Sequence, residues 1–371
     1  MKKLYCLLAL LFTAPFSFAM DVEFGGQHRT RGIYYQQDMQ DIFNQRFKFS
    51  GAFRPNEMFE SHFWLLTNYK WGDKNYFDNE IRLYGYGDWK MSDELMLRLG
   101  RSPYQVADGS SIGMNDYSDY PYVMDGAFLS YNTESLAVDV WGAYLPSVWQ
   151  GNNEAPSHQK ALGLSLDVRS LPEEFKMANL YGVYAINDDG DDHIRLGIGI
   201  GGDISGIDYK LSGVIHGAEL GEIVSQYAVD GQLGYTLDFD ARIYVGGHYE
   251  SDSYDAFYYN RHPRSGLLDV VQWGNGTTYG EGGISYMPSE DFEVGIVGLY
   301  FHSIGSWGQW GNTGEHPKDG AGMNTSQVIE ADVYIKKSYA GGFAIKFLGG
   351  MFDLANDNPY WQVQLQTTFD F

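Results

Sequence analysis

The residues of this chain that could do chemistry are charges set one step out of phase with apolar side chains. In the first hundred or so positions Arg29, Arg31, Arg46, Lys48, Arg82, Arg98 and Arg101 recur within alternating stretches. Further along, Asp208, Asp230, Glu250, Glu281, Glu330 and Asp332 recur in the same way with the opposite sign. Charges spaced like this form ladders wherever strands line a narrow lumen, and such ladders decide which ions or charged solutes pass. Other chemistries find little support. No Gly-x-Ser-x-Gly elbow occurs, and the nine histidines, His216, His248 and His302 among them, show no metal-ligand spacing. Gly197-Ile-Gly-Ile-Gly201-Gly202 has the outline of a dinucleotide loop, yet no helix follows it. Asn187 to Asp192 resembles part of a calcium loop, but Ala185 stands at the first ligand position. No catalytic residue, metal or cofactor is therefore expected.

The elements that must position these charges are strands. Alternation of period two, punctuated by turn residues, predicts about eighteen of them. They fall near 22–36, 42–54, 58–70, 77–90, 95–102, 122–131, 136–145, 159–169 and 177–186 in the first half. The second half contributes 193–202, 207–216, 225–237, 240–250, 279–287, 292–302, 327–336, 342–352 and 360–371. Every second connection is a tight turn, whereas the long ones, near 103–121, 146–158, 251–278 and 303–325, all belong to the other set. Short turns on one side and long loops on the other are the asymmetry of outer-membrane β-barrels, with the short side periplasmic. The predicted fold is thus an all-β, antiparallel, up-and-down transmembrane barrel with both termini in the periplasm.

Strand parity then sorts the charges. A cation facing lipid at mid-bilayer costs about 2–4 kcal/mol, so the charged parity is assigned inward. In the second strand Phe43, Gln45, Phe47 and Phe49 oppose Asn44, Arg46 and Lys48. In the tenth, Ile194, Leu196, Ile198 and Ile200 oppose Arg195 and glycines; strands one and nine alternate poorly. This assignment predicts a basic wall from the first five strands and an acidic wall opposite. Between the fifth and sixth strands, Pro103 to Pro121 carries Asp108, Asp116 and Asp119 with Tyr104, Tyr117 and Tyr120, and is expected to fold into the lumen as a constriction.

Composition agrees with this address. Lys2 and Lys3, an apolar run from Leu4 to Phe12 and Ser17-Phe18-Ala19 form a secretory leader, expected to be cut after Ala19; residues 20–371 are then one barrel domain. The single cysteine, Cys6, leaves with it, so neither disulfides nor thiolate metal sites are expected. After residue 20 no apolar run approaches the roughly 18 residues of a membrane helix. The 29 Tyr, 22 Phe, 9 Trp and 46 Gly suit interfacial girdles and close strand contacts, while a net charge of −23 argues against nucleic acid.

The final segment, Tyr360 to Phe371, places Trp361, Val363, Leu365, Thr367, Phe369 and Phe371 on one face and Gln362, Gln364, Gln366, Thr368 and Asp370 on the other. It resembles the closing strand of bacterial outer-membrane barrels. That resemblance implies that Phe371 belongs to the signal read by the barrel-assembly machinery.

A second resemblance is carried by His28-Arg29-Thr30-Arg31-Gly32, Leu97-Arg98-Leu99-Gly100-Arg101, Met124-Asp125-Gly126-Ala127-Phe128 and Val138-Asp139-Val140-Trp141. In this order, over residues 21–145, they resemble the alginate-export family of outer-membrane barrels. The resemblance implies an eighteen-stranded barrel with an arginine-lined conduit for an anionic polysaccharide, with Arg29, Arg31, Arg98 and Arg101 as conduit arginines. Ser102 stands where that family has Gln, and the acidic second half suits a polyuronate poorly. The expectation is therefore a porin-like member in the outer membrane, passing small hydrophilic or charged solutes without being an enzyme. Lipid and lipopolysaccharide are its expected surroundings. Export of an anionic polysaccharide and a structural or adhesive surface barrel are the alternatives.

Overall fold

Alternating side chains give a strand two different faces, and a strand so built must pair along both edges to satisfy its backbone. The computed structural model describes residues 21–35, 42–71, 81–107, 109, 113, 123–145, 159–186, 192–217, 226–251, 277–303, 327–353 and 359–371. These residues form eighteen strands. The first nine are β1 (Asp21–Tyr35), β2 (Ile42–Asn56), β3 (Phe59–Trp71), β4 (Ile81–Lys90), β5 (Leu95–Ser102), β6 (Met124–Asn132), β7 (Leu136–Leu145), β8 (Gln159–Val168) and β9 (Phe175–Ile186). The rest are β10 (Asp192–Ile204), β11 (Ile207–Gly217), β12 (Gln226–Thr236), β13 (Ala241–Glu250), β14 (Thr277–Ser289), β15 (Phe292–Ser303), β16 (Gln327–Tyr339), β17 (Phe343–Asp353) and β18 (Tyr360–Asp370).

Each strand pairs antiparallel with the next, from β1–β2 and β2–β3 through β9–β10 to β17–β18. The last strand then returns to the first, with Thr30 opposite Thr367 and Arg31 opposite Gln366. The sheet is thereby closed and has no free edge, which is the condition for crossing lipid with strands. Among the described residues no helix is long and apolar enough to do so.

The short connections use local turn chemistry. Between β10 and β11, Ser205 (φ 55°) and Gly206 (φ 85°) make a two-residue turn with two left-handed residues, matching the strand twist. Between β16 and β17, Gly341 (φ 85°) and Gly342 (φ 82°) do the same work, and a Cβ on Gly342 would run into the Asp370 carbonyl. Several strand bounds differ from expectation by two or three residues, the end of β16 at Tyr339 rather than 336 among them. β9 begins at Phe175 rather than near 177, and β14 runs on to Ser289. Pro288 lacks an N–H, and the pairing of β14 with β15 skips from Tyr286 to Ser289 around it. The expected start of the fourth strand at 77 lies outside the described residues.

Side chains sort by parity. Leu162, Leu164, Ile198, Leu233 and Val245 stand exposed on the outer face, the apolar band expected of a barrel that crosses lipid. Phe369 on β18 and Phe371 just past its end are exposed on that face, while Gln362 and Gln364 are buried inside.

Candidate functional site

The inner wall carries nearly every charge named from the sequence. On β1 and β2, Arg29, Arg31 and Arg46 are buried on the inner face, between exposed outer residues such as Tyr34, Phe43 and Phe47. Arg46 donates from Nη2 to Gln27 Oε1 at 2.7 Å, and Arg31 donates from Nε to Gln366 Oε1 at 3.3 Å. Lys48 lies 5.4 Å from the Trp64 ring on β3. Arg82 alternates with the exposed Ile81 and Leu83 and therefore also points inward.

Two cations that sequence reasoning did not single out extend this row. Register places Arg31 opposite Gln366, Gln366 opposite Lys346, and Lys346 opposite Lys336. The basic strip therefore runs continuously over β16, β17, β18, β1 and β2. The missing signal was present in the alternation: Lys346 shares parity with the buried Leu348 and Phe352, opposite the exposed Phe347 and Met351. What was absent was the β1–β18 closure that brings the two ends of the chain together.

Arg98 behaves differently. It makes a two-pronged pair with Asp88, Nε to Oδ1 at 2.7 Å and Nη2 to Oδ2 at 2.9 Å, and its guanidinium lies 4.2 Å from the Tyr86 ring. Arg101 corrects the expectation outright. Arg98 and Arg101 are three residues apart, so a regular strand points them to opposite faces. Arg101 shares the outer parity with Leu99 and pairs there with Asp125, Nε to Oδ1 at 2.6 Å.

All six acidic residues lie on the inner parity, but they do not form one opposite wall. Asp208 is paired with Arg242 at 2.6 Å. Asp230 and Glu250 flank His248 at 2.9 Å each, on β12 and β13. Glu281 accepts from Gln232 Nε2 at 3.1 Å. Nine strands around the closed sheet of eighteen, these face β2 to β5 across the barrel. Glu330 and Asp332, both fully buried, stand instead on β16, only three strands from β1 around the closed sheet. Acid and base are therefore neighbours on that side.

The third part of the wall is apolar. Phe128, Trp141, Tyr181, Val183 and Val214 form one buried cluster on the inner faces of β6 to β11. Tyr104 and Val106, which follow β5, pack against it: the Tyr104 ring centroid is 4.7 Å from that of Phe128 and 5.6 Å from that of Trp141. The chain after β5 thus turns into the barrel, at least through Ala107. Burial there, with the Asp139 carboxylate beside it, pushes the Tyr104 phenol above its ordinary pKa. Asp108, Asp116 and Asp119 lie outside the described residues. The Gly197–Gly202 stretch lies in strand β10, with a register shift against β9 between Gly201 and Gly202, and the missing Cβ of Gly197 admits the Tyr181 ring. Among the described residues no group of three His, Cys, Asp or Glu could hold a metal ion.

The chain is similar to the outer membrane protein OpdK of Pseudomonas aeruginosa, at 12% identity and a TM-score of 0.69, over 95% of this chain and 99% of that one. OccK3 (OpdO) of the same organism gives 12% identity and a TM-score of 0.68, over 95% and 96%. OccK11 (OpdR) gives 13% and 0.66, over 95% and 96%. The fold is that of these outer-membrane proteins. No family model matches the sequence. No curated protein matches it either.

Proposed function

We propose that this chain is an outer-membrane channel for passive diffusion of small hydrophilic solutes, with anions preferred. The observation that carries the reading is the inner-face row Lys336–Lys346–Gln366–Arg31, continued by Arg29 and Arg46. An anionic group moving along it exchanges one cation for the next, and a fixed positive lining lowers the barrier for anions over cations. The apolar ring surfaces of Phe128, Trp141 and Tyr104 offer the other half of a solute something to slide against. OpdK has been solved with vanillate, and a small aromatic acid has both features this lumen provides. Export through a leader cut after Ala19, and recognition of Phe371 by the barrel-assembly machinery, complete the reading.

A second reading, export of an anionic polysaccharide as in the alginate-export family, draws on the motifs around Arg29, Arg31 and Arg98. It requires a wide bore, whereas Tyr104 and Val106 fill part of this one and Asp88 engages Arg98. Uptake into proteoliposomes tests both. The diffusion reading expects swelling in benzoate-sized anions at several times the rate in equally sized cations, and none with an oligouronate. Passage of the oligouronate would favour export; equal rates for both ions would remove the anion preference.

A further inference from the structure

Among the described residues the outer face is apolar or glycine at almost every position away from the strand ends, and it fails in one place. On β1 the outward residues between the exposed Phe24 and Tyr34 are Gly26, His28, Thr30 and Gly32. The neighbouring strands continue the defect. Thr30 stands opposite Thr367 of β18 and Gln45 of β2, and one step down Phe47 stands opposite Thr67 of β3. These side chains hydrogen-bond among themselves: Thr30 with Thr367, and Gln45 Nε2 with His28 Nε2 at 2.6 Å, while Trp71 Nε1 donates to Gln45 Oε1 at 3.3 Å. Around the rest of the described barrel, outward charges such as Arg101, Lys160 and Asp192 lie within two residues of a strand end.

We infer that this seam, β18–β1–β2–β3, is where a second copy of this chain packs in the membrane. Hydrocarbon offers no hydrogen bonds, and hydroxyl, amide and imidazole groups facing it are costly. Each of these groups both donates and accepts, and the bonds above use only part of that capacity. The patch has no fixed charge, so it demands no partner of opposite sign and is complementary to itself, as an isologous contact requires. Gly32 leaves the backbone open to close approach, the feature that packs protein against protein in lipid, while the Phe371 ring already lies over Gly26. The inference rests on the barrel spanning a membrane, but not on which solute it passes.

The full-length chain with Cys6→Ser is expressed and its outer membranes are oxidised, with Thr30→Cys as the probe and Leu196→Cys on the far outer face as control. The expected result is a band of twice the chain mass from Thr30→Cys and none from Leu196→Cys. Detergent-extracted protein with the native seam should likewise have twice the single-chain mass, and His28→Leu, Thr30→Val, Gln45→Leu and Thr367→Val together should reduce it to one. Heat-modifiable migration verifies that each variant is folded. Folded, membrane-borne protein of single-chain mass with no self cross-link overturns the inference, as does a cross-link to a different protein. A chain absent from the membrane fraction would instead overturn the membrane reading itself.

Discussion

Arginines on the inner wall are held in two ways, and the contrast separates conduit from staple. Arg98 on β5 and Arg242 on β13 each reach across to a carboxylate, Asp88 and Asp208, so their charge is largely cancelled where it stands. Arg31 and Arg46 sit instead in a row of like charges, where they reach to the amides of Gln366 and Gln27. An arginine opposite a carboxylate ties two regions of wall together; one set among other cations, as Arg46 is opposite Arg29 and Arg31 is across one strand from Lys346, adds its field to theirs. Residue type alone does not tell them apart. What decides is the residue that register places across the ladder.

Mutations at the two kinds of site should therefore part company. The largest effect is expected from Arg31→Gln with Lys346→Gln, which removes two cations from the row. The anion-to-cation permeability ratio in single channels should fall several-fold, on the order of 1 kcal/mol of selectivity, while resistance to urea is kept. Asp88→Asn should act in the opposite sense. It leaves the partly buried Arg98 without its carboxylate, lowering unfolding free energy by about 1–3 kcal/mol in urea titrations and raising anion preference by less than the first pair lowers it. Equal effects of both variants on selectivity would erase the distinction. Smaller still is Arg101→Gln: the pair with Asp125 is exposed on the outer face, so a change of about 0–1 kcal/mol and an unaltered conductance are expected.

The smallest effect lies at the short turn before β15. There the Lys337 ammonium and the Ser289 hydroxyl hold the Asp291 carboxyl below its usual range. A depressed folded pKa contributes stability above the unfolded value and loses it as pH falls through the folded one. Wild type should thus exceed Asp291→Asn slightly at neutral pH, with the difference beginning to shrink as pH falls below about 4, the ordinary range for Asp. Thermal unfolding of both proteins from pH 7 to pH 3 checks this.

Much of the architecture was legible because lipid and lumen impose period two on strand after strand. The Phe43–Phe49 and Ile194–Ile200 runs alone give strand, facing and approximate ends. The site was legible only as a set of inward charges. Arg101 was misassigned because a short sequence motif, Leu-Arg-Leu-Gly-Arg, obscured that its two arginines lie on opposite faces. Lys336 and Lys346 went unnoticed, and Glu330 and Asp332 were placed across the lumen, for a single reason: sequence order hides that β16 lies three strands from β1 once the barrel closes. The poor alternation of the first strand has a physical basis in Gly26, His28, Thr30 and Gly32, an outer face that is not apolar. Such a lapse in pattern is information about what the face meets.

The central claim is that the row from Lys336 through Arg31 to Arg46 sets the selectivity of the lumen. Its most direct test is the zero-current potential of single channels in a planar bilayer under a tenfold potassium chloride gradient. The account predicts a potential of the sign set by chloride, moving toward zero in Arg31→Gln with Lys346→Gln. A potential of the sign set by potassium, or one that the double substitution leaves unmoved, would contradict it.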